Sequence, residues 1–180
     1  MNSTALKRYI QTLVQAGLLL ALCLLLPFLT GQIPQVGSML LPMHLPVLLA
    51  GYLCGPLWAA GVGAVAPLLR NLLFGMPPLY PVGLSMTVEL AVYGLVVGLV
   101  WPRVREKGAA GVYMALVSAQ LVGRLAWGAA RFVMMGLGGS EFSLALFLSG
   151  AVTGAVPGIV LQLVLVPVLV RALQKAGVLR

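Results

Sequence analysis

An all-α integral membrane protein of six transmembrane helices is the fold class that this sequence predicts, and three observations carry it. Apolar residues fill 61% of the 180 positions and charged residues 8%, with a mean hydropathy of +1.08. A soluble domain keeps about 25% charged residues because its surface stays in water. The apolar runs are continuous and rich in Leu, Ala and Gly, whereas a spanning β-barrel alternates polarity in roughly ten-residue pieces. Crossing about 30 Å of hydrocarbon takes about 20 helical residues, so the chain has room for about six crossings with short connections. One six-helix transmembrane domain over residues 1–180 is the expected organisation.

The spans are expected at 9–30, 43–55, 56–75, 81–101, 111–136 and 143–170. The first is too long for the apolar region of a cleaved signal peptide, and no small-x-small cleavage site follows it. The second is short and lies among Pro42 and Pro46, which marks a half-length or tilted helix. Breaks fall at Gly31–Pro34, Gly55–Pro56, Gly75–Pro81, Pro102–Gly108 and Gly136–Ser140, all rich in residues that stop helices. No soluble domain, linker or low-complexity tail is expected.

The basic residues orient the spans. Lys7 and Arg8 precede the first, Arg103, Arg105 and Lys107 fill the loop after the fourth, and Arg171, Lys175 and Arg180 follow the sixth. With six crossings all three clusters fall on one side, which the positive-inside rule assigns to the cytoplasm together with both termini. Eight of the eleven basic residues are absorbed in this way, so the net charge of +8 needs no nucleic acid partner. The loops 31–44, 75–81 and 137–142 contain no Lys or Arg and are expected outside. In the stretch GSMLLPMHLPVLLAG, residues 37–51, Pro42 and Pro46 interrupt regular helix around His44. Such backbone persists at membrane depth only where protein or a water-filled cavity covers it.

Three basic residues remain, Arg70, Arg124 and Arg131, and one acid, Glu89, lies within a span. Ionisable groups at this depth usually face a bundle interior or cavity. Glu89 is expected about 12 Å below the outer end of its span at about 1.5 Å per residue, and the arginines in the same outer half. Gln120, Arg124, Trp127 and Arg131 share one helical face, as do Ser85, Glu89 and Tyr93. A polar cavity with aromatic walls is one reading. The other pairs Arg70 or Arg124 with Glu89 to hold helices together and lets Arg131 snorkel. One glutamate does not neutralise three arginines, so the surplus positive charge favours an anionic ligand group. His44 either touches ligand or bonds a carbonyl freed by Pro46.

Other chemistries find no support in the residues. One histidine without Cys, Asp or a second His nearby makes no metal site, and no cofactor is expected. Cys23 and Cys54 read as apolar fillers. LSGA at 148–151 has no histidine within a span to serve Ser149 as a nucleophile, so an enzyme is not expected. Small residues recur at four-residue spacing as Gly150, Gly154 and Gly158, as Gly55, Ala59 and Gly63, and as Gly17 and Ala21. Such faces let helix backbones approach closely within a bundle, or form a docking surface where exposed.

The whole chain resembles the substrate-binding S components of energy-coupling factor (ECF) vitamin transporters. The residues that carry the likeness are LLLALCLLLPFL in the first span, GQIPQVGSMLLPMHLPVLLAGYLCGP, GAVAPLLRNLLFGMPP and the basic loop WPRVREK. The resemblance implies an S-component bundle in a bacterial cell membrane that captures a scarce micronutrient from outside, with external loops as a lid. It implies partners, namely a transmembrane coupling protein and two ATPases, and toppling in the membrane to deliver the substrate. This sequence carries no Walker A motif, so ATP hydrolysis falls to the partners. The family's coupling face carries small residues at A-x-x-x-A spacing on the first span; Gly17 and Ala21 hold that spacing here, with glycine in place of the first alanine.

A small carboxylate such as pantothenate is the substrate expected first. Arg70, Arg124 and Arg131 would donate to its carboxylate, one of them held by Glu89, with Trp127 and Tyr80 as apolar walls and His44 beside the ligand. A flat heterocycle such as riboflavin, folate or a queuosine precursor is the alternative, with Glu89 or Asn71 reading ring nitrogens. A structural subunit of a membrane complex is the reading from a different class.

Overall fold

The computed structural model describes residues 3–30, 39–137 and 154–179, and these are all-α with no strand among them. The helices are α1 (Ser3–Leu25), α2 (His44–Cys54), α3 (Pro56–Phe74), α4 (Leu84–Val104), α5 (Ala109–Leu137) and α6 (Val156–Lys175). A 3-10 turn, Leu26–Thr30, extends α1, a π-type turn, Leu79–Gly83, leads into α4, and a 3-10 turn, Arg105–Lys107, follows it. Five of the helical segments are long and apolar enough to cross a membrane; α2, with 11 residues, is not. At about 1.5 Å per residue α2 covers about half the hydrocarbon, as its flanking prolines predict.

Two boundaries differ from the sequence reading. α1 begins at Ser3, six residues before the apolar run, because its polar first turns carry no hydropathy signal. The sixth span does not run as one helix from 143 to 170. A turn at Gly154 and Ala155 precedes α6, and Pro157 lies in the first turn of that helix. Proline lacks an N–H and pushes the residue before it out of helical geometry, which favours a helix start there. Residues 143–153 of the expected span, Gly150, and the loops at 31–38 and 138–142 lie outside the described residues.

Helix directions follow from side-chain contacts. α1 and α3 run parallel, since Tyr9 packs edge-on against Trp58 at one end and Phe28 against Phe74 at the other. α2 turns into α3 at Gly55, whose φ of 81° favours glycine. α2 parallels α4, with His44 beside Glu89 and Tyr52 beside Trp101. α4 and α5 are antiparallel, as Tyr93 lies against Gly123 and Val104 against Gly111. Gln120 bonds Gln162 across α5 and α6, and Gly158 meets the backbone of Met39 and Leu40 above α2. The N-terminus of α1, the α4–α5 turn and the C-terminus of α6 therefore share one end of the bundle. Lys7, Arg8, Arg103, Arg105, Lys107, Arg171 and Lys175 all belong to that end.

α4 is the central element, packed most extensively on α3 and α5. Its approach to α3 is set by glycine. A Cβ at Gly63 would clash with the Leu90 carbonyl, one at Gly94 with the Ala59 carbonyl, and one at Gly98 with the backbone of Pro56. Without a hydrophobic driving force between helices in lipid, close contact of this kind holds them together. The small residues of α3 thus serve packing. Gly17 and Ala21 do not: both are exposed, and a Cβ at Gly17 would meet nothing within 4 Å.

These contacts predict opposite outcomes for two substitutions. Gly94→Leu overpacks the α3–α4 seam and should destabilise the protein by about 1–3 kcal/mol or more, seen as a lowered midpoint of thermal unfolding in detergent. Gly17→Leu should leave that midpoint unchanged.

Candidate functional site

The buried polar residues concentrate on facing turns of α2, α4 and α5. Glu89 sits in the second turn of α4, 1% exposed, and its Oε1 lies 3.0 Å from Arg124 Nη1 and 3.3 Å from His44 Nε2. A carboxylate removed from water at this depth is tolerable only when paired. Arg124 supplies the compensating charge from α5. His44, at the first position of α2, reaches the same oxygen because the chain before it is bent. Leu41 holds a φ of 52°, an uncommon conformation for a non-glycine residue, and its carbonyl accepts the His44 N–H at 3.0 Å. Tyr93, one turn below Glu89, stacks its ring edge-on against His44 with centroids 5.1 Å apart and stands beside Arg124. Gly123 makes room for that ring, since a Cβ there would clash with it.

Donors outnumber acceptors around this cluster. Arg124 Nε and Nη2, Arg131 Nε and Gln162 Nε2 are buried donors without a hydrogen-bond partner of good geometry among the described residues, against Glu89 Oε1 and the two His44 ring nitrogens, and the Tyr93 hydroxyl lies beside the Arg124 guanidinium. Arg124 and Arg131 both carry positive charge, and among the described residues Glu89 is the one carboxylate within ion-pair distance of Arg124, while none lies within that distance of Arg131. Arg131, two turns further along α5 from Arg124, lies over the Trp127 ring at 5.3 Å from its centroid. The whole stripe Gln120, Arg124, Trp127, Arg131 therefore faces inward, as its spacing predicts.

The other residues expected at the site are placed elsewhere. Arg70 does not join Glu89. It points into the α1–α3 seam, where Nη1 donates to the Leu24 carbonyl at 2.6 Å and the guanidinium lies between Phe28 and Phe74, 5.1 and 5.4 Å from their centroids. There it caps the end of α1, where the 3-10 turn around Pro27 interrupts the helical bonding. The helix face that Arg70 occupies follows from the pairing of α1 with α3. Asn71 Nδ2 donates to the Pro77 carbonyl at 2.8 Å, and the exposed Tyr80 donates its hydroxyl to the Met134 carbonyl. Both tie down the α3–α4 connection and neither reaches Glu89.

Gln162 was not singled out by the sequence reading. It is 1% exposed, and its Oε1 accepts from Gln120 Nε2 at 3.1 Å. The available signal was a single amide inside the apolar run IVLQLVLV. Among the described residues no three His, Cys, Asp or Glu side chains come together as a metal site would need.

Residues 11–170 match the model of the family described as ECF transporter, substrate-specific component. Comparisons with curated proteins and with solved structures give no match.

The pairing at Glu89 has a measurable consequence. Removing either partner leaves an uncompensated buried charge, so Glu89→Gln and Arg124→Gln should each cost about 3–5 kcal/mol. The double variant should cost less than the sum, and a double-mutant cycle on unfolding free energies reads the difference.

Proposed function

The chain belongs to the substrate-specific components of ECF transporters, and from that membership we propose that it binds a small micronutrient at the His44–Glu89–Arg124–Tyr93 cluster. The observation that carries the reading is the surplus, among the described residues, of buried donors and positive charge around one carboxylate, Glu89. Substrate oxygens would satisfy what the protein leaves open. A carboxylate fits Arg131 best, because Glu89 already neutralises Arg124, and pantothenate is the leading candidate. Trp127 would form an apolar wall beneath it. Arg70, Asn71 and Tyr80, engaged with backbone carbonyls, would support the frame.

The basic end of the bundle faces the cytoplasm in this reading, by the positive-inside rule, and the cluster opens toward the external side. A coupling protein and two ATPases supply the energy. The exposed Gly17–Ala21 face of α1 is where the coupling protein would dock, since small residues there permit close helix contact.

Three experiments test this. In a background with Cys23 and Cys54 replaced by Ala, a cysteine at Lys107 should be labelled from the cytoplasm only and one at Met76 from outside only; the reverse overturns the orientation. Calorimetry with pantothenate should show Arg131→Gln weakened about 10–150-fold, the loss of one charge-assisted bond worth about 1.5–3 kcal/mol, and Arg70→Gln near wild-type affinity. Normal pantothenate binding by Arg124→Gln and Arg131→Gln would remove both arginines from the carboxylate site, whereas wild type that binds riboflavin and not pantothenate would shift the reading to an uncharged heterocycle. Ala21→Phe should abolish uptake while leaving binding to the isolated protein intact.

A further inference from the structure

We propose that Gln162, held in place by Gln120, is the specificity-determining residue at the inner end of the site, where it donates to an uncharged acceptor oxygen of an elongated substrate. The inference rests on the reading of the cluster as a substrate site and deepens it. Gln120 lies one turn inward of Arg124 on the inward face of α5. Its amide bonds Gln162 through one donor and one acceptor, which leaves the Gln162 Nε2 group buried and unpartnered among the described residues. Two facing amides with no further purpose would be an expensive helix contact. An apolar pair of the same shape would hold α5 to α6 as well, because replacing both members of a hydrogen-bonded pair is nearly neutral.

The unpartnered donors are ordered along the helix axis. Arg131 is outermost, then Arg124, then Gln162. From Arg131 to Gln120 the axis rises about 16 Å at about 1.5 Å per residue. The outer groups are cations and the inner one is neutral. A matching substrate carries its anionic group outward and, one to three turns deeper, a carbonyl, amide or hydroxyl oxygen. A compact carboxylate would leave Gln162 unanswered, and a buried donor left unpaired is what gives hydrogen-bonding sites their selectivity.

The test is calorimetry on the full chain in detergent with pantothenate, biotin, nicotinate, folate and riboflavin as probes, for wild type, Arg131→Gln and the double variant Gln120→Leu/Gln162→Leu. The probe that wild type binds most tightly should be elongated and should lose roughly tenfold or more in the double variant. The thermal midpoint of the ligand-free double variant should stay level or rise. A purely structural pair would instead lower that midpoint, and such a fall overturns the proposal. Unchanged affinity in the double variant, alongside weakened binding by Arg131→Gln, overturns it while the substrate-site reading stands. Failure of wild type to bind any of the five overturns both.

Discussion

A single carboxylate buried in an apolar bundle constrains the centre of this protein. The buried Glu89 carboxylate is matched by a cation at contact distance, Arg124 at 3.0 Å. That pairing fixes the rotation of α5 against α4. Gly123, adjacent to Arg124, must then lack a side chain so that Tyr93 fits, and Tyr93 in turn meets His44. His44 reaches Glu89 only if α2 starts at mid-depth, which is why α2 is short and why the backbone before it is irregular. Strain at Leu41 and a helix too short to cross the membrane are local costs accepted for one buried contact.

The rest of the bundle is arranged so that this contact is not disturbed. α4 is clamped to α3 by Gly63, Gly94 and Gly98, where backbones meet without intervening side chains. Toward the basic end Tyr52 donates to the Val112 carbonyl at 2.8 Å and packs on Trp101. At the opposite end Asn71 and Tyr80 fasten the α3–α4 connection. Arg70 performs the same kind of task on the other side, closing the end of α1. Polar side chains bound to backbone carbonyls are expensive to remove in lipid, because no water replaces the lost partner. The four therefore stiffen the frame, and the residues with open donors lie inside it.

Much of this was legible from residue order. Spacing of 4, 3 and 4 put Gln120, Arg124, Trp127 and Arg131 on one face, and periodicity alone is enough for a straight helix. The half-length character of α2 followed from its prolines, and the shared end of the basic clusters from the parity of six segments. Three features were not legible. The partner of Arg70 depends on α1 lying beside α3, a tertiary fact that no local pattern encodes. The start of α6 depends on Pro157, which a hydropathy window averages into its apolar neighbours. Gln162 is a single polar residue in an apolar run, and only its position opposite Gln120 gives it meaning.

The same arrangement relates the buried cluster to the exposed face of α1. α1 packs chiefly on α2 and α3. Within α2, however, His44 enters the cluster, and the residue before it, Met43, accepts a contact from Cys23 Sγ at 3.5 Å on α1. Cys23 is two residues beyond Ala21 and is buried where Ala21 is exposed, so successive faces of one helix turn look toward the site and away from it. A displacement of His44 is thus adjacent to α1 through one intervening residue. Packed interiors transmit such shifts because they have no slack to absorb them. The buried cluster and α1 thus meet the same short helix at neighbouring residues, His44 and Met43.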